Sequence, residues 1–505
     1  MCQTLWCSHK DLRNDSFGWC SPFHHLVAWA YSSLKLRELY PDVELYTDSE
    51  GAKVLIDKLK LPYTQYSVEY DDLRCNPCLW AYPKILTYGK QVEPFIHVDG
   101  DVFIYEKFDD ELVNSRLIVQ NLELSTNYYA DIFRPVLKKL RYVPDVFKDN
   151  LSEKFPKSYN AGILGGTDIR SMQLYTEAAV KFVGQNHLCH SNGNFNMIFE
   201  QLLFYSVAQK QNISPGCYFN KVYNDNGYAL KEMADFFATP GLKYLHLIGR
   251  LKRDKFICDQ LVRRFFFEYP DYFERVSALF KSPFHTGDGK ANGGKFTYPL
   301  DFSYPKTRDL IHNLYPGSSI GNNEGLSLFV KENKNRVLGG VYRYEEKIHR
   351  LLTRNFAEID MKELRRMEEK VYASATLFNE LVDDMALKIR MTPYVEIFET
   401  PFDVIHFNPY EILRGKTDKK IVACVPHIFA GGVKEIDLDT LCAKILSVVH
   451  KHPKGVTFRD LADEISELFN QNEGKIGPIR DMVMDKLKFL VGTNLLYLEK
   501  AKGKE

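Results

Sequence analysis

Pro94-Phe95-Ile96-His97-Val98-Asp99-Gly100-Asp101 is the stretch on which the reading of the fold turns. Its first five residues have the pattern of a short buried strand, and two carboxylates stand one residue apart where the run closes. Side chains alternate along a strand, so positions i and i+2 share a face, and both acids are expected to converge at the carboxyl edge of a sheet. Open α/β sheets bind ligands along that edge. Two neighbouring carboxylates repel each other unless a cation sits between them, and hard oxygen ligands suit Mg2+ or Mn2+. The expectation is a divalent metal that grips a diphosphate; a plain Asp-Gly turn is the competing reading.

Outward from this run, residues 20 to about 275 alternate helix and strand signals. A helix from His24 to Tyr40 leads to a strand at Val43-Glu44-Leu45-Tyr46. The turn Thr47-Asp48-Ser49-Glu50-Gly51 follows, and then a helix through Ala52-Lys53-Val54-Leu55. Ala161 to Gly166 is a glycine-flanked apolar piece. A helix with an apolar face at Tyr175, Ala178, Ala179, Phe182 and Val183 comes after it, and another carries Ile198, Leu202, Leu203 and Tyr205. Such alternation predicts a mostly parallel sheet. Tyr46 and Thr47 end a strand on the same edge and are candidates to touch a nucleoside. His24 and His25 read as covering the start of the first helix, and Trp19 and Trp80 as core.

A second signal lies about 150 residues downstream, in Tyr244-Leu245-His246-Leu247-Ile248-Gly249-Arg250-Leu251-Lys252. Its spacing is H-x-x-G-x-x-K. A histidine can complete a metal site begun by two carboxylates. A glycine admits backbone close to a phosphate, and a lysine three residues on supplies a cation to it. A satisfied core histidine is the plainer reading of His246 alone.

Taken in order, these motifs resemble the retaining GT-A glycosyltransferases of the glycogenin and lipopolysaccharide galactosyltransferase type, family 8. Asp99 and Asp101 match the D-x-D, and Lys84 stands where that family has a lysine on the diphosphate. Asn160-Ala161-Gly162 matches the strand along the sugar pocket, and Glu200-Gln201 the acid-Gln pair near the donor sugar. His246, Gly249 and Lys252 match the metal histidine and the glycine and lysine on the diphosphate. The sequence departs from the pattern at Gly100 (usually Ala), Leu247 (usually Phe), Glu200 (usually Asp) and Arg253 (usually Pro). The resemblance covers residues 20 to 260. It implies a GT-A domain with a Rossmann-like, mixed but mostly parallel sheet, and a Mn2+ or Mg2+ ion on Asp99, Asp101 and His246. It further implies a UDP-sugar or similar donor on Lys84, Asp99, Gly249 and Lys252, with Glu200, Gln201 and Asn160 beside the transferred sugar. A non-catalytic scaffold or a peptide-binding protein on the same fold is the alternative.

The breaker-rich stretch 281–305, with Pro283, Gly287, Gly289, Gly293, Gly294, Pro299 and Pro305, predicts a linker or a lid. This divides the chain into a catalytic domain at 1–280, a linker or lid at 281–335, a helix-rich α/β domain at 336–434 and a winged-helix-like domain at 435–505. Leu364, Met367, Val371, Ala375, Phe378, Val382, Met385 and Ile389 keep helical spacing and predict one long amphipathic helix, with an oligomer among its uses. Ile421 to Val425 reads as a buried strand. In the tail, a helix from Leu438 to His450, a second one capped by Thr457 and Asp460, a third over about 479–490 and a strand at 495–498 suggest a winged helix. The tail weakly resembles peptide-recognising winged helices of the PqqD-like type, which implies a peptide or protein acceptor.

Composition bounds these readings. In 505 residues, 66 Lys+Arg balance 66 Asp+Glu, so no global basic field draws nucleic acid. The N-terminus lacks the form of a signal peptide and no apolar stretch is long enough to span a bilayer, so a cytoplasmic protein is expected. The ten cysteines read as free thiols, and Cys75-x-x-Cys78 and the cluster His187, Cys189 and His190 as weak zinc candidates.

Overall fold

The computed structural model describes residues 1–8, 10–237, 242–280, 303–318, 320–351, 361–378, 380–381, 384, 386–400, 402–403, 405, 407, 409, 420–426, 433–469 and 476–500. The chain forms two compact units, one of Met1–Phe236 with Pro240–Lys281, the other of Phe237–Thr239 with Ser282–Glu505. Residues 281–302 of the proposed linker at 281–335 lie outside the described residues, and its remainder is not an open loop but carries the helices Pro305–Leu314 and Asn323–Asn333.

The first unit is an α/β layered structure. Its strands are β1 (Cys2–Leu5), β2 (Glu44–Thr47), β3 (Gln65–Val68), β4 (Phe95–Val98), β5 (Val102–Ile104), β6 (Ile118–Leu124), β7 (Lys157–Gly166), β8 (Gly216–Cys217), β9 (Tyr223–Asn224) and β10 (Tyr244–His246). The central sheet has the order β3-β2-β1-β4-β7-β6-β8, with β9 also on β6. β1, β2, β3 and β4 pair in parallel, β7 runs antiparallel to both β4 and β6, and β8 and β9 are parallel to β6. The sheet is therefore mixed and mostly parallel, as the alternation of signals predicted.

Local chemistry sets the helices that flank it. Ser21 caps the helix Pro22–Leu39, its Oγ accepting from His24 N, with Pro22 at the first position, where a missing N–H costs nothing. Asp48 caps a helical segment that already begins at Ser49, so the predicted turn is shorter than expected. Asp168 caps the helix Ile169–Gln185 through Ser171 N at 3.0 Å. That helix buries Met172, Tyr175, Ala179 and Phe182. Together with Tyr88, Phe95, Phe199 and Phe204 they form one apolar cluster, each large side chain contributing roughly 2 kcal/mol. Across β4 and β7 the backbones pack so closely that a Cβ on Gly165 would run into the Phe95 carbonyl oxygen.

In the second unit, β11 (Leu387–Met391) pairs antiparallel with β15 (Leu496–Lys500). β12 (Glu396–Thr400), β13 (Lys420–Pro426) and β14 (Val433–Leu438) form an antiparallel sheet. The long helix ends earlier than its periodicity suggested: it spans Met361–Leu377, and Ile389 lies on β11. An apolar 3–4 spacing and the alternation of a strand overlap over a few residues, and pairing with β15 decides the matter; Val382 and Met385 fall outside the described residues. Leu438 closes β14 instead of opening a helix. The helices of the tail are Thr440–Lys451, Phe458–Phe469 and Ile476–Gly492. Thr457 Oγ1 accepts from Asp460 N at 3.1 Å, the cap expected from the sequence. No helix among the described residues is long and apolar enough to cross a membrane.

Candidate functional site

β1 and β4 lie side by side in parallel, so Leu5 and Val98 open on one edge, and the first half of the antiparallel β7 reaches the same edge with Asn160 and Gly162. Asp99 N donates to Gly162 O at 3.0 Å, and Val102 N donates back to Asp99 O at 3.0 Å. Asp99-Gly100-Asp101 is thus a tight turn between β4 and β5. The two acids converge through this turn and not through strand alternation. Gly100 is required here, because a Cβ would stand 2.6 Å from the Trp29 ring.

Register brings in the histidine. β10 pairs antiparallel with β5 so that His246 faces Val102, and Leu247 N donates to Asp101 O at 3.0 Å. One donor atom each from Asp99, Asp101 and His246 lies within 4.8 Å of the others. His246 Nδ1 sits 2.6 Å from Gln120 Oε1, which also accepts from Tyr244 OH at 2.6 Å. An amide oxygen only accepts, so Nδ1 donates to Gln120, and Nε2 lies 3.5 Å from Asp101 Oδ1. A ring fixed through its other nitrogen is the usual support of a metal-binding histidine. The three donors therefore fit a divalent ion. Gly162 belongs to the same construction, since a Cβ there would lie 2.5 Å from both the His246 ring and Gln120 Oε1.

Cations flank the acids. Lys84, on the helix Tyr82–Lys90, stands 2.9 Å from Asp99 Oδ1 and 2.6 Å from Glu200 Oε1. Lys252 pairs with Asp101 Oδ2. Burial alone would raise the Asp101 carboxyl, but Lys252 and His246 hold it well below the usual carboxylate range. Asp99 goes the other way, raised by burial and by the charge of Asp101 against the pull of Lys84. Glu200 is fully buried and pushed up to about 7, by burial first and by Asp99, with Lys84 opposing. Glu200 and Gln201 lie in a π-helical turn, Ile198–Leu202, a distortion that recurs at functional sites.

A cavity of about 570 Å3 joins these groups. Lys84, Asp99, Asp101, Asn160, Glu200 and Gln201 line it, and so do His246, Gly249 and Lys252. Gly249 has a φ of +53° with open space where a side chain would be. Tyr46 and Thr47 are not brought there: they sit on β2, one strand beyond β1, where Tyr46 OH bonds Glu44 at 3.0 Å and Thr47 is buried. All four tryptophans of the chain, Trp6, Trp19, Trp29 and Trp80, line the cavity. Trp80 is not core, being 48 % exposed, with Lys84 Nζ 5.2 Å from its ring centre.

Sequence reading missed the supporting groups. Gln120 and Glu123 interrupt the apolar strand Ile118–Leu124, and fully buried polar residues on a strand were the available signal. Glu123 Oε1 accepts from Asn160 Nδ2 at 3.2 Å and from Tyr228 OH, and burial pushes its carboxyl up to about 7. His25 is buried in the cavity wall, its Nε2 accepting from Trp29 Nε1 at 2.9 Å, while His25 Nδ1 and Trp6 Nε1 have no partner. Among the described residues no other group of three His, Cys, Asp or Glu converges as a metal site does, so the cysteines at 75 and 78 and the cluster at 187–190 gather no such set.

Residues 1–279 match a protein family described as a family of unknown function, DUF6734. That is more than half of the chain, and the chain belongs to this family. No curated protein matches it.

Proposed function

We propose that this member of the DUF6734 family is a metal-dependent glycosyltransferase that moves a sugar from a nucleoside diphosphate, with UDP the first candidate, to an acceptor hydroxyl with retention. The observation that carries the reading is the convergence of Asp99, Asp101 and His246 on one point of a roomy cavity, with a lysine on each side. Asp99, Asp101 and His246 would hold Mn2+ or Mg2+, which as a Lewis acid offsets the charge that grows on a departing diphosphate. Lys252 and Lys84 add positive charge to the same region, and Gly249 leaves backbone open to a phosphate. Lys84 also fixes Glu200 through their 2.6 Å contact. Glu200 and Gln201 provide an acceptor and an amide for the transferred sugar, and a carboxylate there stabilises positive charge at the anomeric carbon. Asn160 is oriented by Glu123 on one side and by Gly162 N, which donates to its Oδ1 at 3.0 Å, on the other.

The test is incubation of the full chain with a panel of UDP- and GDP-sugars and Mn2+, reading release of the nucleoside diphosphate. Release from at least one UDP-sugar, abolished by EDTA, is expected. Silence across the panel from well-folded protein overturns the proposal.

A further inference from the structure

Two cysteines meet behind Lys252. Cys20 lies in the loop before the helix Pro22–Leu39, directly after Trp19, whose ring centre is 5.9 Å from Lys252 Nζ. Cys258 lies in the first turn of the helix Lys255–Glu268, which Asp254 caps through Phe256 N and Ile257 N. Both are tied to one atom: Cys20 N donates to Lys252 O at 3.0 Å, and Cys258 Sγ donates to the same oxygen at 3.2 Å. The Cys20 nitrogen and the Cys258 sulfur are therefore about 6 Å apart at most. The two thiols also interact with each other.

We propose that Cys20 and Cys258 form a reversible disulfide that displaces Lys252 and weakens the hold of the cavity on a diphosphate; the second half of this rests on the functional reading above. The oxidant is a peroxide. The Cys20 thiolate attacks a peroxide oxygen and breaks the O–O bond, leaving a sulfenic acid and one water. Cys258 sulfur then displaces the sulfenic oxygen as a second water, so two thiols and one hydrogen peroxide become one disulfide and two waters. The chemistry suits the pair, because Cys20 is half-buried and reachable while Cys258 is buried. Contact with Cys258 holds the Cys20 thiol below its usual range against the opposing effect of burial, which favours the attacking thiolate. Once the bond forms, Cys258 no longer donates to Lys252 O, and the Trp19 loop is drawn against the helix start.

The experiment treats the full chain with hydrogen peroxide, blocks remaining thiols with iodoacetamide and maps tryptic peptides. A linked species joining Asn14–Lys35 to Phe256–Arg263, reversed by dithiothreitol, is expected. Its absence, with Cys20 found only as sulfinic acid or paired elsewhere, overturns the disulfide. UDP affinity is then measured by calorimetry with Mn2+: the oxidised protein is expected to bind at least about five-fold more weakly than the reduced one. Cys258→Ser, which keeps a hydroxyl donor for Lys252 O, should bind like the reduced protein with or without peroxide. A linked pair with unchanged affinity overturns the coupling to Lys252. A reduced protein that binds no UDP overturns the functional reading and the coupling with it, and the peptide map alone then decides the disulfide.

Discussion

Asp101 and His246 face each other at 3.5 Å with a lysine behind the acid, so removing either leaves two donors where three converge. Asp101→Ala and His246→Ala should each lower Mn2+ affinity by at least about 100-fold in calorimetry, with far-UV circular dichroism unchanged. Gln120 acts one step further out, fixing the ring through Nδ1. Gln120→Leu should cost about 10-fold or more in Mn2+ affinity, the usual effect of losing an outer hydrogen bond to a ligand. Glu123 gives a pH signature. Its folded carboxyl is raised to about 7 from an ordinary 4.5, so the native state binds the extra proton between those values. Its contribution to stability is complete below about 4.5 and is lost as pH rises through 7, a decline of up to ~3 kcal/mol. In urea titrations over that range Glu123→Gln should flatten the slope. At this scale the sequence had exposed Asp99, Asp101 and His246, the group that could hold a metal ion, because such chemistry demands particular residue types. It hid Gln120 and Glu123, whose roles depend on which strand faces which.

Elements, in turn, position these groups through register. His246 reaches Asp101 because β10 pairs with β5 with His246 opposite Val102, and a slip of one residue would turn the ring to the other face. The acids meet at the edge because β4 is held between β1 and β7. Gly165 makes that close approach possible, its missing Cβ leaving room for the Phe95 carbonyl. Gly165→Ala should push β7 away from β4 and destabilise the first unit by about 3 kcal/mol or more, read by urea denaturation. The strand at 95–98 and the helices at 22–39 and 169–185 were legible as apolar periods, while their caps at Ser21 and Asp168 were seen only in the structure. The helix end at Leu377 was not, because β11 is defined by its pairing with β15 and not by its own period.

For the whole molecule, 66 basic and 66 acidic residues cancel, so the fields that matter are local ones, such as the lysines at 84 and 252 around two aspartates. A ligand that binds only the folded cavity stabilises the chain by mass action, about 2.7 kcal/mol at a hundred times its Kd. UDP with Mn2+ should therefore raise the melting temperature of the full chain, UDP with EDTA should not, and Asp101→Ala should remove the shift. The family match ends at residue 279 and the first compact unit at Lys281, so the site lies in the part of the chain that the family shares.

The sequence by itself determined the residue types: an acid pair after an apolar strand, a distant H-x-x-G-x-x-K, and a rhythm of helix and strand that predicts a mostly parallel sheet. Periodicity and capping are local properties, and a linear text carries them in full. Only the tertiary structure decided that Asp99 and Asp101 converge through a turn packed on Trp29. It also decided that Tyr46 and Thr47 stand one strand away and that four scattered tryptophans share one cavity. These depend on strand order, register and side-chain volume, which arise when segments far apart in the chain pack together.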